Sequence, residues 1–119
     1  MNIPKRGEIW QVRLSSTENV GHEQKNDRPC IVIVSNKEVS LSTVIPLTGD
    51  EHAIRLPHTH KIGATVQNGL STDSIALIYQ IKSLDHKRFL GRLGFLGKKD
   101  MKAILDLIAN YLNLLLDNK

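Results

Sequence analysis

Arg28 stands where the polar loop of Gly21–Asn36 (GHEQKNDRPCIVIVSN) runs into a continuous apolar segment. Pro29 follows it and holds it extended, because a residue before proline is driven out of the helical region. A guanidinium fixed in that way can grip a phosphate or carboxylate through two parallel hydrogen bonds. It can equally pair with Glu23 or Asp27 and simply order its loop. Other polar residues fall at the ends of apolar segments: Glu23 and Gln24 beside Arg28, Thr48 after Ile45-Pro-Leu, and Ser74 and Gln80 on a later run. Cutting an RNA strand without a metal needs a base for the 2′-hydroxyl, a stabiliser for charge on the phosphoryl oxygens, and an acid for the 5′ oxygen. An arginine fork and a threonine hydroxyl suit the second service. Thr48, ahead of Gly49-Asp50, is by itself as readily a turn residue.

Other chemistries lack their residues. There is no glycine-rich phosphate loop, no CxxC pair and no HExxH motif. His58-x-His60 has no third ligand close in sequence, so both histidines are expected to be solvent-exposed or RNA-facing, with no metal site and no cofactor. The acidic residues are scattered, which disfavours a two-metal nuclease. Cys30, the single cysteine, sits in a β-branched run and is expected to be a small core residue rather than a nucleophile. One cysteine allows no intrachain disulfide, and with no membrane-length apolar stretch a soluble, cytoplasmic protein is expected.

The elements that would position these residues belong to one domain, residues 1–119, with 40% hydrophobic and 24% charged residues. Gly7–Leu14 alternates as a first strand, and a thirteen-residue polar loop, Ser15–Asp27, follows it. Pro29–Ser35 is apolar without alternation, as expected of a strand covered on both faces. Leu41–Leu47 is a third strand, whose Pro46 predicts an edge or bulge. Ala53–Leu56 and Ala64–Val66 are short strand candidates on either side of a connection at Pro57–Gly63. Asn68-Gly69 is a tight-turn signal. Ser74–Lys82 reads as one long strand, and Leu84–Phe95 as a helical turn and a short strand. Short strands separated by turns predict a small barrel.

The chain ends in a different period. Met101, Ile104, Leu105, Ile108, Leu112 and Leu115 make one helical stripe, and Leu107, Tyr111 and Leu114 add apolar surface beyond it. Net charge is +4, and Lys82–Lys102 holds seven basic residues against two acidic ones. Such a run predicts either a polyanionic partner or a solvated face.

Four blocks together resemble the PemK/MazF family of toxin endoribonucleases. They are Arg6-Gly-Glu-Ile-Trp-x-Val-x-Leu, Gly21-His-Glu-Gln-x-x-x-Arg-Pro, Ile45-Pro-Leu-Thr48 and Asp73-Ser-Ile-Ala-Leu-x-x-Gln80-Ile-x-Ser-Leu-Asp85. The resemblance implies a mainly β, α+β fold, an SH3-like small β-barrel with a C-terminal helix. It also implies a homodimer and metal-independent, sequence-specific cleavage of single-stranded mRNA to 2′,3′-cyclic phosphate and 5′-hydroxyl ends. A cognate antitoxin with an acidic, partly disordered tail would be the protein partner.

Position by position, the resemblance makes Arg28 and Thr48 catalytic and Glu23 an acidic loop residue implicated in activity, with His22 and Gln24 as further catalytic or RNA-contacting candidates. Lys25, Lys82 and Arg88 would contact RNA. Gln80 and Ser74 would be structural supports, Gln80 as a buried, hydrogen-bonded amide. Tyr79 replaces an acidic residue that serves as base in some members, which leaves Arg28, Glu23 and His22 as candidates for that role. The cut motif is not written in these residues. Related CcdB-type toxins share the barrel and poison DNA gyrase by protein binding alone, and a non-catalytic RNA-binding module is a third reading.

Overall fold

The structure is a computed structural model that describes residues 3–14 and 27–114. Seven strands and one long helix follow in the order β1 (Glu8–Arg13), β2 (Asp27–Asn36), β3 (Leu41–Thr48), β4 (Thr59–Ile62), β5 (Ser74–Leu77), β6 (Lys82–Asp85), β7 (Phe89–Phe95) and α1 (Lys98–Tyr111). All pairings are antiparallel, in the path β4-β5-β3-β2-β1-β7, with β6 also on β3. The α+β class with a C-terminal helix is as expected. Among the described residues the sheet is open, ending at β4 and β7, and does not close into a barrel.

The unalternating run in β2 is covered on both faces. Ile31 and Ile33 enter the main core with Ile9, Ile45, Leu47, Ile62 and Ile78, under Ile104 and Ile108 of α1. Cys30 and Val32 point the other way, into a second cluster with Trp10, Val12, Val44 and Phe89. Trp10 and His86 both meet the Phe89 ring edge-on, at 5.9 and 5.7 Å. Leu107 packs against the main core, whereas Tyr111 and Leu114 remain exposed.

The expected long strand Ser74–Lys82 is two strands. A 3-10 turn at Ile78–Gln80 separates β5 from β6. β6 pairs with Leu41–Val44 of β3 and β5 pairs with Leu47 and Thr48, so the break falls opposite Ile45 and Pro46. Proline brings no N–H to a ladder, and an interrupted neighbour tolerates it. Pro46 therefore marks a gap in the facing strand, while β3 itself lies inside the sheet.

The region between β3 and β5 also departs from expectation. Ala53–Leu56 is no strand but the end and C-cap of a 3-10 segment, Glu51–Arg55, and the supposed connection Pro57–Gly63 contains β4. Residues 64–66 form no strand. Asn68-Gly69 does turn the chain: the Asn68 side chain binds Gly63 O, Thr65 N and Leu70 N, and Gly69 adopts φ +70°.

Candidate functional site

Arg28 lies near the start of β2 and Thr48 ends β3. β2 and β3 pair Ile31 with Ile45 and Cys30 with Pro46. Continued by two residues, that register sets Arg28 opposite Thr48. Alternation along β2 puts Arg28 on the face of Cys30 and Val32, away from α1.

Both residues line one open depression of about 410 Å³, together with Asp50, His52, Arg55, Leu56, Tyr79 and Gln80. The 3-10 break explains Tyr79 and Gln80, because it turns them out of the sheet while Ile78 stays fully buried. Gln80 is exposed at this depression, so its expected role as a buried structural amide is corrected. Ser74 is buried and donates to Thr72 O at 3.0 Å, outside the site.

Short hydrogen bonds order the segment after Thr48. Thr48 Oγ1 accepts from the Asp50 amide at 3.2 Å, and Asp50 Oδ1 accepts from the His52 amide at 3.0 Å. With its oxygen accepting from the backbone, the Thr48 hydroxyl keeps its proton for a ligand. Gly49 and Glu51 face a different, polar depression of about 470 Å³, so the segment alternates between two hollows. Asp50, His52 and Arg55 escaped the sequence reading because this stretch looked like a turn and a strand. The spacing Thr48-x-Asp50-x-His52, in which Thr48 and Asp50 each accept from the amide two residues on, was the available signal.

Charge gathers around Arg28 from distant elements. Asp27, the alternative partner for Arg28, is paired with Arg13 at 3.3 Å. Lys82 lies opposite Val44 in the sheet, and its charge, like that of Arg28, reaches the Cys30 thiol. Burial nevertheless pushes that thiol up to about 12, against both cations. A thiol so buried stays protonated and is no nucleophile at neutral pH.

The basic run Lys82–Lys102 is not one patch. Arg88 donates to Leu14 O at 2.9 Å, Arg92 pairs with Glu8 at 3.1 Å and Lys102 with Asp106 at 3.1 Å. Lys82 thus stands on the face of the site, and Arg88 holds the end of β1. His22, Glu23, Gln24 and Lys25 lie outside the described residues.

The two loop histidines are half-buried rather than presented to solvent. His60 Nε2 lies 2.9 Å from Asp100 Oδ1 of α1. His58 packs edge-on against Tyr111 at 5.0 Å and, with Leu56, Pro57 and Tyr79, lines an apolar depression of about 370 Å³. Leu56 and Tyr79 also line the Arg28 depression, so the two hollows adjoin.

Residues 5–112 match the family model described as the PemK-like, MazF-like toxin of type II toxin–antitoxin systems. The chain is 31% identical over 103 residues to an endoribonuclease MazF of Staphylococcus saprophyticus, covering 84% of this chain and 83% of the relative. It is similar in structure to MazF from Deinococcus radiodurans, with a TM-score of 0.75 at 21% identity, covering 95% and 99% of the two chains. It is also similar to a mycobacterial endoribonuclease solved in complex with its cognate antitoxin, with a TM-score of 0.71 at 17% identity, covering 95% and 98%. The depression lined by Arg28 and Thr48 thus lies within a match that runs through nearly the whole chain, and the protein belongs to the PemK-like, MazF-like family of toxins of type II toxin–antitoxin systems.

Proposed function

We propose that this protein is a sequence-selective endoribonuclease toxin that cuts single-stranded RNA without a metal, leaving 2′,3′-cyclic phosphate and 5′-hydroxyl ends. The observation that carries the reading is that Arg28 of β2 and Thr48 of the neighbouring β3 line one open depression. The Arg28 fork supports two phosphoryl oxygens as charge grows on them, and the Thr48 hydroxyl donates to the phosphoryl group. Both donors stand on a paired sheet, so little reorganisation is needed when charge develops. Lys82 adds sequence-independent attraction for the strand.

The partner in this reading is an antitoxin whose tail carries acidic residues beside an apolar anchor. The cationic Arg28 hollow and the apolar hollow at Pro57, His58 and Tyr111 adjoin through Leu56 and Tyr79, which suits such a tail. A homodimer, covering exposed Tyr111, Leu112 and Leu114, belongs to the same proposal. The setting is cytoplasmic, where mRNA is found.

Incubating the purified protein with a long single-stranded RNA in EDTA tests the reading. Discrete cuts with cyclic-phosphate ends are expected. Binding without cuts would favour a non-catalytic RNA module, and neither binding nor cutting would favour a gyrase poison.

A further inference from the structure

We propose that His52 is the proton donor to the departing 5′ oxygen, an assignment that rests on the endoribonuclease reading above. The hardest step in such a cleavage is the loss of an alkoxide, which leaves readily only when protonated as the bond breaks. Among the described residues lining the depression, the candidates are Arg28, Arg55, Asp50, Tyr79 and His52. Guanidinium groups serve as fixed charges that grip phosphoryl oxygens, a phenol is as a residue type a weaker acid than an imidazolium, and the Asp50 carboxylate already accepts from the His52 amide. Imidazole is the side chain suited to exchanging protons near neutral pH, and His52 lines the depression.

Its position fits the geometry of displacement. β2, which carries Arg28, lies on one side of β3. The segment Glu51–Arg55 packs against β4 and β5, on the other side. Arg28 and the segment that carries His52 therefore stand on opposite sides of β3, the strand that Thr48 ends. In an in-line displacement the attacking and leaving oxygens also lie on opposite sides of phosphorus. A phosphate gripped from the β2 side by Arg28 and contacted by Thr48 leaves the β5 side of the same depression, where His52 lies, to one bridging oxygen. The Thr48–Asp50–His52 hydrogen bonds hold the backbone of this donor to that of the phosphate grip.

The step balances as follows. The 2′ oxygen bonds to phosphorus as its proton passes to water. The bond from phosphorus to the 5′ oxygen breaks, and its electron pair takes a ring-nitrogen proton from the His52 imidazolium. Water then returns a proton to His52.

A substrate with sulfur in place of the bridging 5′ oxygen isolates this role, since a thiolate leaves without protonation. The cut site is first mapped with the wild-type protein, and both linkages are placed there. His52→Gln should cut the oxygen linkage about 10²–10⁴-fold more slowly and the sulfur linkage within about threefold of wild type. Equal loss on both linkages would make His52 a positioning residue and overturn the assignment. So would an undiminished rate on the oxygen linkage. Thermal melting and binding to RNA with a 2′-deoxy sugar at the cut site report folding. If His52→Gln does not fold, His52→Ala with added imidazole replaces it, and a folded variant not rescued by imidazole also overturns the assignment. Failure of the wild-type protein to cut RNA would instead remove the endoribonuclease reading and the assignment with it.

Discussion

His60 Nε2 and Asp100 Oδ1 lie 2.9 Å apart, joining β4 to the first turn of α1. The sequence at that helix start is unfavourable, because Lys98 and Lys99 oppose the dipole and Gly97 offers no side-chain cap. Asp100 is the acidic residue in the first turn and is favoured there. Asp100→Asn should cost roughly 1 kcal/mol, a drop of a few degrees in Tm. A variant melting at the wild-type temperature would show that α1 is held by its apolar face rather than by this contact.

Arg28→Lys keeps the charge and loses the two-pronged grip. Cleavage should slow by about 10²–10³-fold, as for removal of one oxyanion donor. Affinity for a non-cleavable RNA should fall far less, because one phosphate contact is a small share of binding. Wild-type turnover by Arg28→Lys, measured on a mapped cut site, would remove Arg28 from the chemistry.

Thr48 separates hydroxyl from shape. Thr48→Ser should keep most activity, whereas Thr48→Val should lose about 10²-fold or more while folding normally. Equal rates for serine and valine in single-turnover cleavage would assign Thr48 to the turn alone.

Gly69 carries a stability prediction. It adopts a positive φ, and a Cβ there would collide with the Leu93 carbonyl of β7. Gly69→Ala must therefore move either the Asn68 turn or β7, at a cost of about 2–3 kcal/mol. Urea unfolding would measure it, and a midpoint equal to wild type would mean that the turn does not dock on β7.

Glu8 sets an acid limb. Burial acts to raise its carboxyl, but hydrogen bonds from Trp10, the Lys5 amide and Arg92 together hold it below the ordinary value. A carboxylate lowered in the folded state adds stability that is present above its unfolded value and lost as pH falls through the lowered one. Glu8→Gln should thus be less stable than wild type at neutral pH and approach it below about pH 4. A constant gap across that range, in melting curves, would exclude the linkage.

Local interactions determined much of the molecule from sequence alone. Pro29 makes Arg28 extended, and the β-branched run after it needs cover on both faces, which the two clusters around β2 supply. The three- and four-residue spacing of Met101, Ile104 and Ile108 sets the core-facing side of α1. Each follows from backbone sterics or a single repeat, and each is complete within a few residues.

Tertiary structure decided what depended on strand pairing. Nothing local in SIALIYQIK distinguishes one strand from two; the break at Ile78–Gln80 is seen in its alignment with Pro46, more than thirty residues earlier. That break delivers Tyr79 and Gln80 to the site. The basic run was likewise contiguous only in sequence, because successive residues of β6 and β7 join different neighbours across the sheet. His52 came into view through the packing of its 3-10 segment on β4 and β5. The physical reason is the same throughout: periodicity records which face of an element is apolar, whereas the neighbour of an element is chosen by long-range pairing and burial that no short window contains.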